Sequence, residues 1–396
     1  MRVLIANLRL DEPGGVESVV RDLALGLLHR QHRPIVYCPV IGKIGREIRS
    51  RGIAVVDDLQ AIADPPDIIH GHHYVATGEA IIRFPHVPVV NVCHAWEFWQ
   101  WRPVKFPQVF KYGVISEAVR DRLIDEEGIS PERIETLLNA VDLSRLPSRR
   151  SAPRARPRRA ACFSKYKSHL PIIRKACERA GITLDAIGKC ADKPSMAIEE
   201  DLVKYDIVFA IGRSALEAAC CGCAVVVCDQ NGFGGMLTSK NLERFRSLNF
   251  ALRLLTRPVS LDAVQAAIES YDASDVVQVS ERLRTDADLE KYLDQILALY
   301  EDAIRCSPGD VDDGIYRDAL HGFLHATLPR TVDDPRWPWM SEREFFLREI
   351  ERLDHELAVS RNGVGGATLR SVIGRSRTFL KHRRNRLRLI PAVSGK

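Results

Sequence analysis

The sequence from Asp206 to Gly235 reads DIVFAIGRSALEAACCGCAVVVCDQNGFGG. Its first apolar run, Asp206–Ala210, has the length of a buried strand, and Gly212 separates it from a segment that predicts a helix from Ser214. A second apolar run, Ala224–Cys228, predicts another strand, and a glycine-rich loop is expected after it. This order of elements predicts a parallel βαβ unit whose helix begins at the carboxyl end of the first strand.

The start of that helix is suited to binding an anion. Free N–H groups and the helix dipole favour negative charge there, and Gly212 and Arg213 lie at this point. Glu217, one turn into the helix, can accept hydrogen bonds from the hydroxyl groups of a sugar. The same turn could also serve only to connect a strand to a helix, so the interpretation depends on the rest of the chain.

Strands and helices alternate in two sets along the chain. The strands of the first set are predicted at Arg2–Ala6, Pro34–Cys38, Ile53–Val56, Asp67–His70, Val89–Cys93 and Tyr112–Ile115. Those of the second set are predicted at Ala160–Phe163, Thr183–Ile187, Asp206–Ala210 and Ala224–Cys228, with helices between Leu261 and Ile304 to follow. Between the sets, Ser148–Arg159 is rich in proline and arginine and cannot form a core, which predicts a linker.

This alternation predicts an α/β fold with two Rossmann-like, doubly wound domains that face each other across a cleft, plus a helical basic C-terminal extension. We expect a first domain at 1–147, the linker at 148–159, a second domain at 160–305 and the extension at 306–396. Ligands of such sheets bind at the carboxyl ends of the strands, so residues that follow the strands should line one cleft. These residues are Gly14, Gly15, His72, His94, Gly188, Gly212 and Gly232.

The run GRSALEAACCGCAVVVCDQNGFGG resembles the donor-binding segment of GT-B glycosyltransferases, especially that of the retaining glycosyltransferase family four. Five further segments resemble motifs of this family and follow in the family's order. They are Pro13–Gly15, Asp67–His73, Val89–His94, Val114–Ala118 and Asn139–Asp142. The resemblance covers about residues 1–305. It implies the GT-B fold and transfer of a sugar from a nucleotide-diphosphate sugar.

The resemblance also implies roles for individual residues. His94 and Glu217 would be the catalytic residues, with His94 at the donor sugar or its phosphate and Glu217 at the ribose. Retention of the anomeric configuration and independence of a bound metal or other cofactor are implied in the same way. Donor and nucleotide binding is expected from Gly14, Gly15, Lys165, Gly188, Gly212, Arg213, Glu217 and Gly232. The acceptor side is expected to include His72, Trp96 and Trp99.

The run Ala95–Trp101, AWEFWQW, supports the acceptor assignment because aromatic faces suit a sugar or a lipid-linked acceptor. A packing role for these tryptophans is an equally good interpretation. The glycan or lipid-linked acceptor is therefore an expectation, as is the nucleotide sugar.

Two positions depart from the family pattern. The family has a second glutamate eight residues before the one matched by Glu217, and this chain has Phe209 there. The family's basic pair after the first strand of the second domain corresponds here to Lys165 and Leu170, with Lys167 and His169 nearby. A divergent enzyme with another donor fits these departures, and so does a degenerate protein that binds a nucleotide sugar without turnover. A nucleotide-sugar epimerase is a further alternative.

Composition argues against several other classes. Hydrophobic residues make up 45% of the 396 residues, enough for packed cores, but no uninterrupted run of about eighteen apolar residues occurs. No signal-peptide core follows Met1, so a cytoplasmic protein is expected.

The cysteines at 220, 221, 223 and 228 lack the paired spacing of zinc knuckles and are expected to be reduced and buried. Neither glycine turn spells the dinucleotide fingerprint of a dehydrogenase.

The C-terminal extension lies outside the resemblance. Glu342–Ser360 has apolar residues at helical spacing and predicts a helix with one apolar stripe. Residues 367–396 contain nine Lys or Arg and no Asp or Glu, so they supply the positive balance in a chain of net charge +5. We expect this tail to bind an anionic membrane surface at the inner face, although a solvated tail is the alternative. Nucleic acid is not an expected partner, because Phe379 is the tail's single aromatic residue.

Overall fold

The computed structural model describes residues 1–95, 99–146, 152–188, 201–307 and 311–328. Residues Met1–Phe323 form one compact unit, and Leu324–Lys396 form a second. The helix predicted at Glu342–Ser360 and the basic tail at 367–396 lie outside the described residues. No helix in the described ranges is long and apolar enough to cross a membrane.

The first sheet is fully parallel, as predicted from the alternation of strands and helices. Its strands are β1 (Arg2–Ala6), β3 (Arg33–Tyr37), β5 (Ala54–Val56), β6 (Ile68–Gly71), β7 (Val89–Cys93), β8 (Val109–Val114) and β9 (Ile134–Thr136). They run in the order β5-β3-β1-β6-β7-β8-β9. A small separate pair consists of β2 (Arg9–Leu10) and β4 (Val40–Ile41).

Four helices accompany this sheet: α1 (Gly15–His29), α2 (Lys43–Ser50), α3 (Tyr74–Arg83) and α4 (Glu117–Asp125). The apolar spacing that predicts α1 corresponds to buried side chains, among them Val20, Leu23 and Leu27. Ser116 ends the loop before α4 and accepts a hydrogen bond from the Val119 N–H, as an N-cap does. These helices therefore begin beyond the carboxyl ends of the preceding strands, on the side of the predicted cleft.

The second sheet has β10 (Arg159–Phe163), β11 (Thr183–Ile187), β12 (Ile207–Ala210), β13 (Ala224–Asp229) and β14 (Gly232–Met236), in the order β11-β10-β12-β13-β14. The segment that we expected to be a glycine-rich loop is β14, which pairs antiparallel with β13. Its glycines allow close packing, because a Cβ atom on Gly232 would lie 2.8 Å from the carbonyl oxygen of Arg257. The loop prediction was wrong because a strand of small residues lacks an apolar pattern.

The other helices in the described ranges are α5 (Leu170–Arg179), α6 (Gly212–Cys220), α7 (Leu242–Ser247), α8 (Leu261–Glu269), α9 (Ala273–Asp286), α10 (Leu289–Arg305) and α11 (Asp313–Thr327). α6 begins at Gly212, two residues before the predicted start. α10 returns to the first sheet and packs against α1, β6 and β7. The end of the second set of elements thus covers strands of the first set, close to the carboxyl ends of β6 and β7.

The part of the predicted linker that the structure describes is attached to the second sheet. Arg154 donates from Nη1 to the carboxylate of Asp206 at 3.1 Å, and the N–H groups of Arg158 and Arg159 also donate to Asp206. Asp206 is fully buried at the start of β12, so these bonds compensate its desolvation. Arg154 is therefore fixed to the sheet by a charged contact.

Candidate active site

The carboxyl ends of β6 and β7 bring two predicted site residues together. His72 directly follows β6, and His94 directly follows β7. The two strands are parallel neighbours, so their ends lie side by side. His72 Nδ1 lies 2.7 Å from His94 Nε2, and the two imidazoles share a hydrogen bond. The structure therefore joins His72 and His94 in one site, and their chemical roles stay predictions.

Other polar and aromatic groups surround this pair. His70 Nδ1 lies 2.6 Å from the hydroxyl oxygen of Tyr300 on α10. His73 Nδ1 lies 2.7 Å from Oδ1 of Asn7, which follows β1. The ring of Trp101 lies over His73 with 4.1 Å between the ring centroids. His70, His72, His73 and His94 are called the histidine cluster below. Residues from both ends of the chain contact it, since Asn7 follows β1 and Tyr300 lies on α10.

The clustered histidines are neutral at neutral pH. Burial lowers the pKa of His94 to about 3, with a further contribution from the positive charge of Arg213. Burial also lowers the pKa of His70 to about 3, and it lowers the pKa of His72 well below the ordinary range. Each ring therefore carries one N–H donor and one nitrogen acceptor.

The turn before α6 lies at the carboxyl end of β12 in the second sheet. Gly212 has φ of +58°, and a Cβ atom placed on it would meet no atom within 4 Å. The left-handed conformation favours glycine, and the space beside it lies at the helix start. Arg213 follows directly, and its positive charge contributes to the lowered pKa of His94.

Arg213 is buried, and it makes three hydrogen bonds within the chain. Its Nε donates to Oε1 of Glu217 at 2.8 Å, its Nη1 donates to the carbonyl oxygen of Ala140 at 3.0 Å, and its Nη2 donates to Asp22. These contacts join α6 to α1. The expected contact of this guanidinium with a diphosphate stays a prediction.

Glu217 lies beside Arg213 on α6. Its side chain is 17% exposed, and its carboxylate accepts the hydrogen bond from Arg213. The hydrogen bond from Arg213 orients the Glu217 carboxylate, which lies one turn into α6 as the sequence predicted. The predicted contact with a ribose stays a prediction.

The first turn of α1 contains Gly15 and the acidic residue Glu17. Gly14 is the N-cap residue of α1, and the carboxylate of Glu17 folds back over it. Burial raises the pKa of Glu17, whereas its own backbone N–H and the charge of Lys165 act in the opposite direction. No heavy atom lies within 4 Å of a Cβ placed on Gly15.

Three further positions occupy the carboxyl edge of the second sheet in different ways. Gly188 ends the strand β11 and packs against the carbonyl oxygen of Ser164. Gly232 begins β14, and the carbonyl oxygens of Leu255 and Arg257 occupy the space where a Cβ atom on Gly232 would lie. Phe209 is buried within β12, and position 209 therefore supplies no group to the cleft.

The structure describes Trp99, which is one of the two predicted acceptor-side tryptophans. Trp96 lies outside the described residues. Trp99 begins a short 3₁₀ helix, Trp99–Trp101, and is 37% exposed. Trp101, which we did not single out, contacts the rings of both His73 and His94. The aromatic run therefore reaches the histidine cluster through Trp101.

The described cysteines are all free, as expected for reduced thiols. Those at 220, 221, 223 and 228 are buried in the second sheet domain, whereas Cys306 is exposed. Among the described residues, no group of three or more His, Cys, Asp or Glu side chains could hold a metal ion.

Sequence reasoning missed several residues of this site. Asp22 lies three residues after Val19 on the apolar face of α1, and a carboxylate on such a face indicates a buried ion pair. Glu17 follows the glycine turn directly and could have been recognised as an acidic residue in a first helical turn. Tyr300 had no local signal, because its partner His70 is 230 residues away in the sequence.

Comparison with known proteins supports the fold. Residues 13–145 match the model of Glycosyltransferase Family 4. A glycosyltransferase of Rickettsia africae aligns with a TM-score of 0.55 and 12% identity, over 77% of this chain and 99% of that chain. The glycotransferase of kitacinnamycin aligns with a TM-score of 0.46 and 13% identity, over 75% of this chain and 98% of that chain. No curated protein matches the sequence.

The family match begins at Pro13, where the glycine turn of α1 starts, and ends at Arg145, beyond the last strand of the first sheet. It therefore includes the histidine cluster and the first turn of α1. The second sheet domain is related to known proteins through its fold. The chain thus has the GT-B glycosyltransferase fold and resembles glycosyltransferase family 4 through residues 13–145.

Proposed function

We propose that this protein transfers a sugar from a nucleotide-diphosphate sugar to a glycan or lipid-linked acceptor. The observation that carries the proposal is the contact between α1, which belongs to the first set of elements, and α6, which follows β12 of the second sheet. Arg213 at the start of α6 bonds Asp22 of α1, and Lys165 after β10 acts on Glu17 of the same helix. Ligands of doubly wound sheets bind at the carboxyl ends of the strands, where such helices begin.

The leaving diphosphate is the group that needs most stabilisation, because negative charge develops on it as the sugar departs. The N-terminus of α1 at Gly14 and Gly15, together with Lys165, offers N–H donors and one cation for it. The Glu17 carboxylate folds over Gly14, and we propose that the diphosphate displaces it. Gly212 at the start of α6 would supply a second positive helix end.

His94 would contact the donor sugar or its phosphate, and Glu217 would accept hydrogen bonds from the ribose. His94 is half-buried and directly follows β7. Glu217 accepts a hydrogen bond from Arg213, and both residues lie on α6. The acceptor would enter beside His72 and the aromatic run, with Trp99 as the exposed member that the structure describes. We further propose that the sugar keeps its anomeric configuration and that no bound metal takes part.

The proposed cellular role is synthesis of cell-surface polysaccharide or another glycoconjugate from the cytoplasmic side. A lipid-linked acceptor must be met at a bilayer, so the enzyme would work at the inner membrane face through its basic tail. The tail composition and the aromatic run beside the site support this role.

A non-catalytic nucleotide-sugar-binding protein is the second candidate. It is favoured by Phe209, which is buried where the family has a glutamate. Such a protein would bind the donor but would show neither hydrolysis nor transfer.

The test is a thermal-shift screen of nucleotide sugars, followed by transfer assays with the donor that stabilises the protein most. Transfer to a lipid-linked or glycan acceptor that persists with EDTA is the expected result. Transfer that stops with EDTA and returns with a divalent cation would contradict metal independence. Isomerised donor, or nucleotide release without acceptor, would indicate an epimerase. Donor binding without any turnover would establish the non-catalytic alternative.

A further inference from the structure

We propose that His72 is a positioning residue that fixes the tautomer of His94, so that His94 presents an Nδ1–H donor to the cleft. The inference deepens the proposed function, since it states which atom of His94 meets the donor and what that atom can bind. It rests on the hydrogen bond between the two rings and on the surroundings of their remaining nitrogens.

The first step concerns the shared hydrogen bond. His72 Nδ1 and His94 Nε2 are 2.7 Å apart, a normal hydrogen-bond distance. Burial lowers the pKa of both imidazoles, so each ring carries a single proton at neutral pH. One of the two facing nitrogens must therefore donate and the other accept.

The second step decides which nitrogen donates. His72 Nε2 is buried and has no hydrogen-bond partner among the described residues. A buried N–H without a partner is rarer than an acceptor without one. The lower-energy arrangement leaves Nε2 of His72 unprotonated and places the proton on Nδ1. His72 then donates to Nε2 of His94.

The third step follows for His94. Since its Nε2 accepts the bond from His72, its single proton lies on Nδ1. His94 is half-buried, and within the described residues its Nδ1 makes no hydrogen bond. The ring edge that is left for a ligand is thus an N–H donor. It suits an acceptor oxygen, such as a sugar hydroxyl oxygen or a phosphate oxygen, and it is unsuited to taking up a proton.

Neighbouring rings keep His72 in this orientation. The centroids of His70 and His72 are 4.6 Å apart with an interplanar angle of 54°, and Tyr300 bonds the Nδ1 of His70 from α10. The Nε2 of His70 also lacks a partner among the described residues.

The direct test is NMR of the whole protein with ¹⁵N-labelled histidine, which distinguishes protonated from unprotonated ring nitrogens. The His94 signals are identified by their loss in His94→Gln. We expect wild-type His94 to be protonated at Nδ1. Protonation at Nε2 in the wild type would overturn the proposal, whether or not any transferase activity is found.

Two substitutions of His72 separate positioning from packing. His72→Asn keeps an N–H donor at the place of Nδ1, so His94 should remain the Nδ1–H tautomer. His72→Asp offers only acceptor oxygens there, so His94 should become protonated at Nε2. His86→Asp adds the same charge at an exposed histidine before β7 and serves as the matched control. Unchanged His94 signals in His72→Asp would overturn the proposal.

Activity provides a second readout once a donor is known. In His72→Asp, kcat should fall by about 100-fold while the donor KM changes less, because a misplaced proton removes a donor needed in the transition state. His72→Asn should lose less kcat than His72→Asp. Equal losses in the two variants would contradict tautomer control. If His72→Asp does not fold, the wild-type and His72→Asn spectra still decide the question.

Discussion

Arg213 on α6 donates a hydrogen bond from Nη2 to Oδ2 of Asp22 on α1, and this buried ion pair joins helices that follow strands of the two different sheets. The side chains of Arg213 and Asp22 are 7% and 2% exposed. Asp22 also accepts from Arg21 and Arg145, and Arg213 also binds Glu217. A single ionic cluster therefore connects both sides of the candidate cleft.

The first prediction concerns this cluster. Arg213→Met should lower the free energy of unfolding by about 3 kcal/mol, because it leaves Asp22 and Glu217 without their shared buried cation. Arg145→Met is the matched control, since Arg145 bonds the same carboxylate but is 32% exposed. It should cost about 1 kcal/mol or less. Urea denaturation measures both, and equal losses would contradict the ranking.

The second prediction is that Glu217→Gln weakens donor binding. Replacing the charged acceptor removes about 1.5–3 kcal/mol, which corresponds to a rise in Kd of roughly tenfold or more. Glu243→Gln is a suitable control, because Glu243 is 90% exposed and pairs with Arg282. Calorimetry with the donor found by screening is the measurement. An unchanged Kd in a folded Glu217→Gln variant would show that this carboxylate does not bind the nucleotide.

The third prediction is that His94 is needed for turnover more than for folding. His94→Ala should reduce transfer by about 100-fold, since it removes a donor from the site where charge develops. Its melting temperature is the control. A variant that melts early but transfers normally per folded molecule would assign His94 a structural role.

The fourth prediction is a loss of stability in mild acid. Burial is the main cause that lowers the pKa of His70 and His73 to about 3 in the folded protein, against an ordinary value of 6.5. Between these values the unfolded chain binds protons that the folded chain does not. The stabilisation is therefore complete above the unfolded pKa and decreases as the pH falls towards the folded pKa. One unit below the unfolded pKa, the loss is about 1.4 kcal/mol for each histidine.

Denaturation at pH values from about 7 to 5.5 tests this dependence, because most carboxylates titrate below that range. His73→Asn should reduce the slope, whereas His86→Gln, at an exposed position, should leave it unchanged. A free energy of unfolding that is independent of pH across this window would contradict neutral, buried histidines.

The fifth prediction concerns the basic tail. Full-length protein should float with anionic vesicles, whereas a chain ending at Gly366 should not, because each basic residue near such a surface contributes about 1 kcal/mol. Neutral vesicles are the control, and high salt should release the full-length protein. Equal recovery of both chains with anionic vesicles would exclude the tail as the anchor.

Much of the fold could be predicted from local patterns. The strands Arg2–Ala6, Val89–Cys93 and Thr183–Ile187 have the predicted bounds, because short apolar runs between turn residues specify buried parallel strands. The convergence of His72 and His94 could also be predicted, since parallel neighbouring strands end at the same edge. The strand β14 could not, because its glycines show no apolar period.

By itself, the sequence determined the two βα sets, the glycine turns and the histidines at strand ends, since each of these depends on residues that are close along the chain. The tertiary structure decided which distant side chains form hydrogen bonds with these residues. Asp22 reaches Arg213 across 191 residues, and Tyr300 reaches His70 across 230, because α1, α6 and α10 pack together. The charge state of the histidines was decided there too, since burial arises only when these helices cover the strand ends.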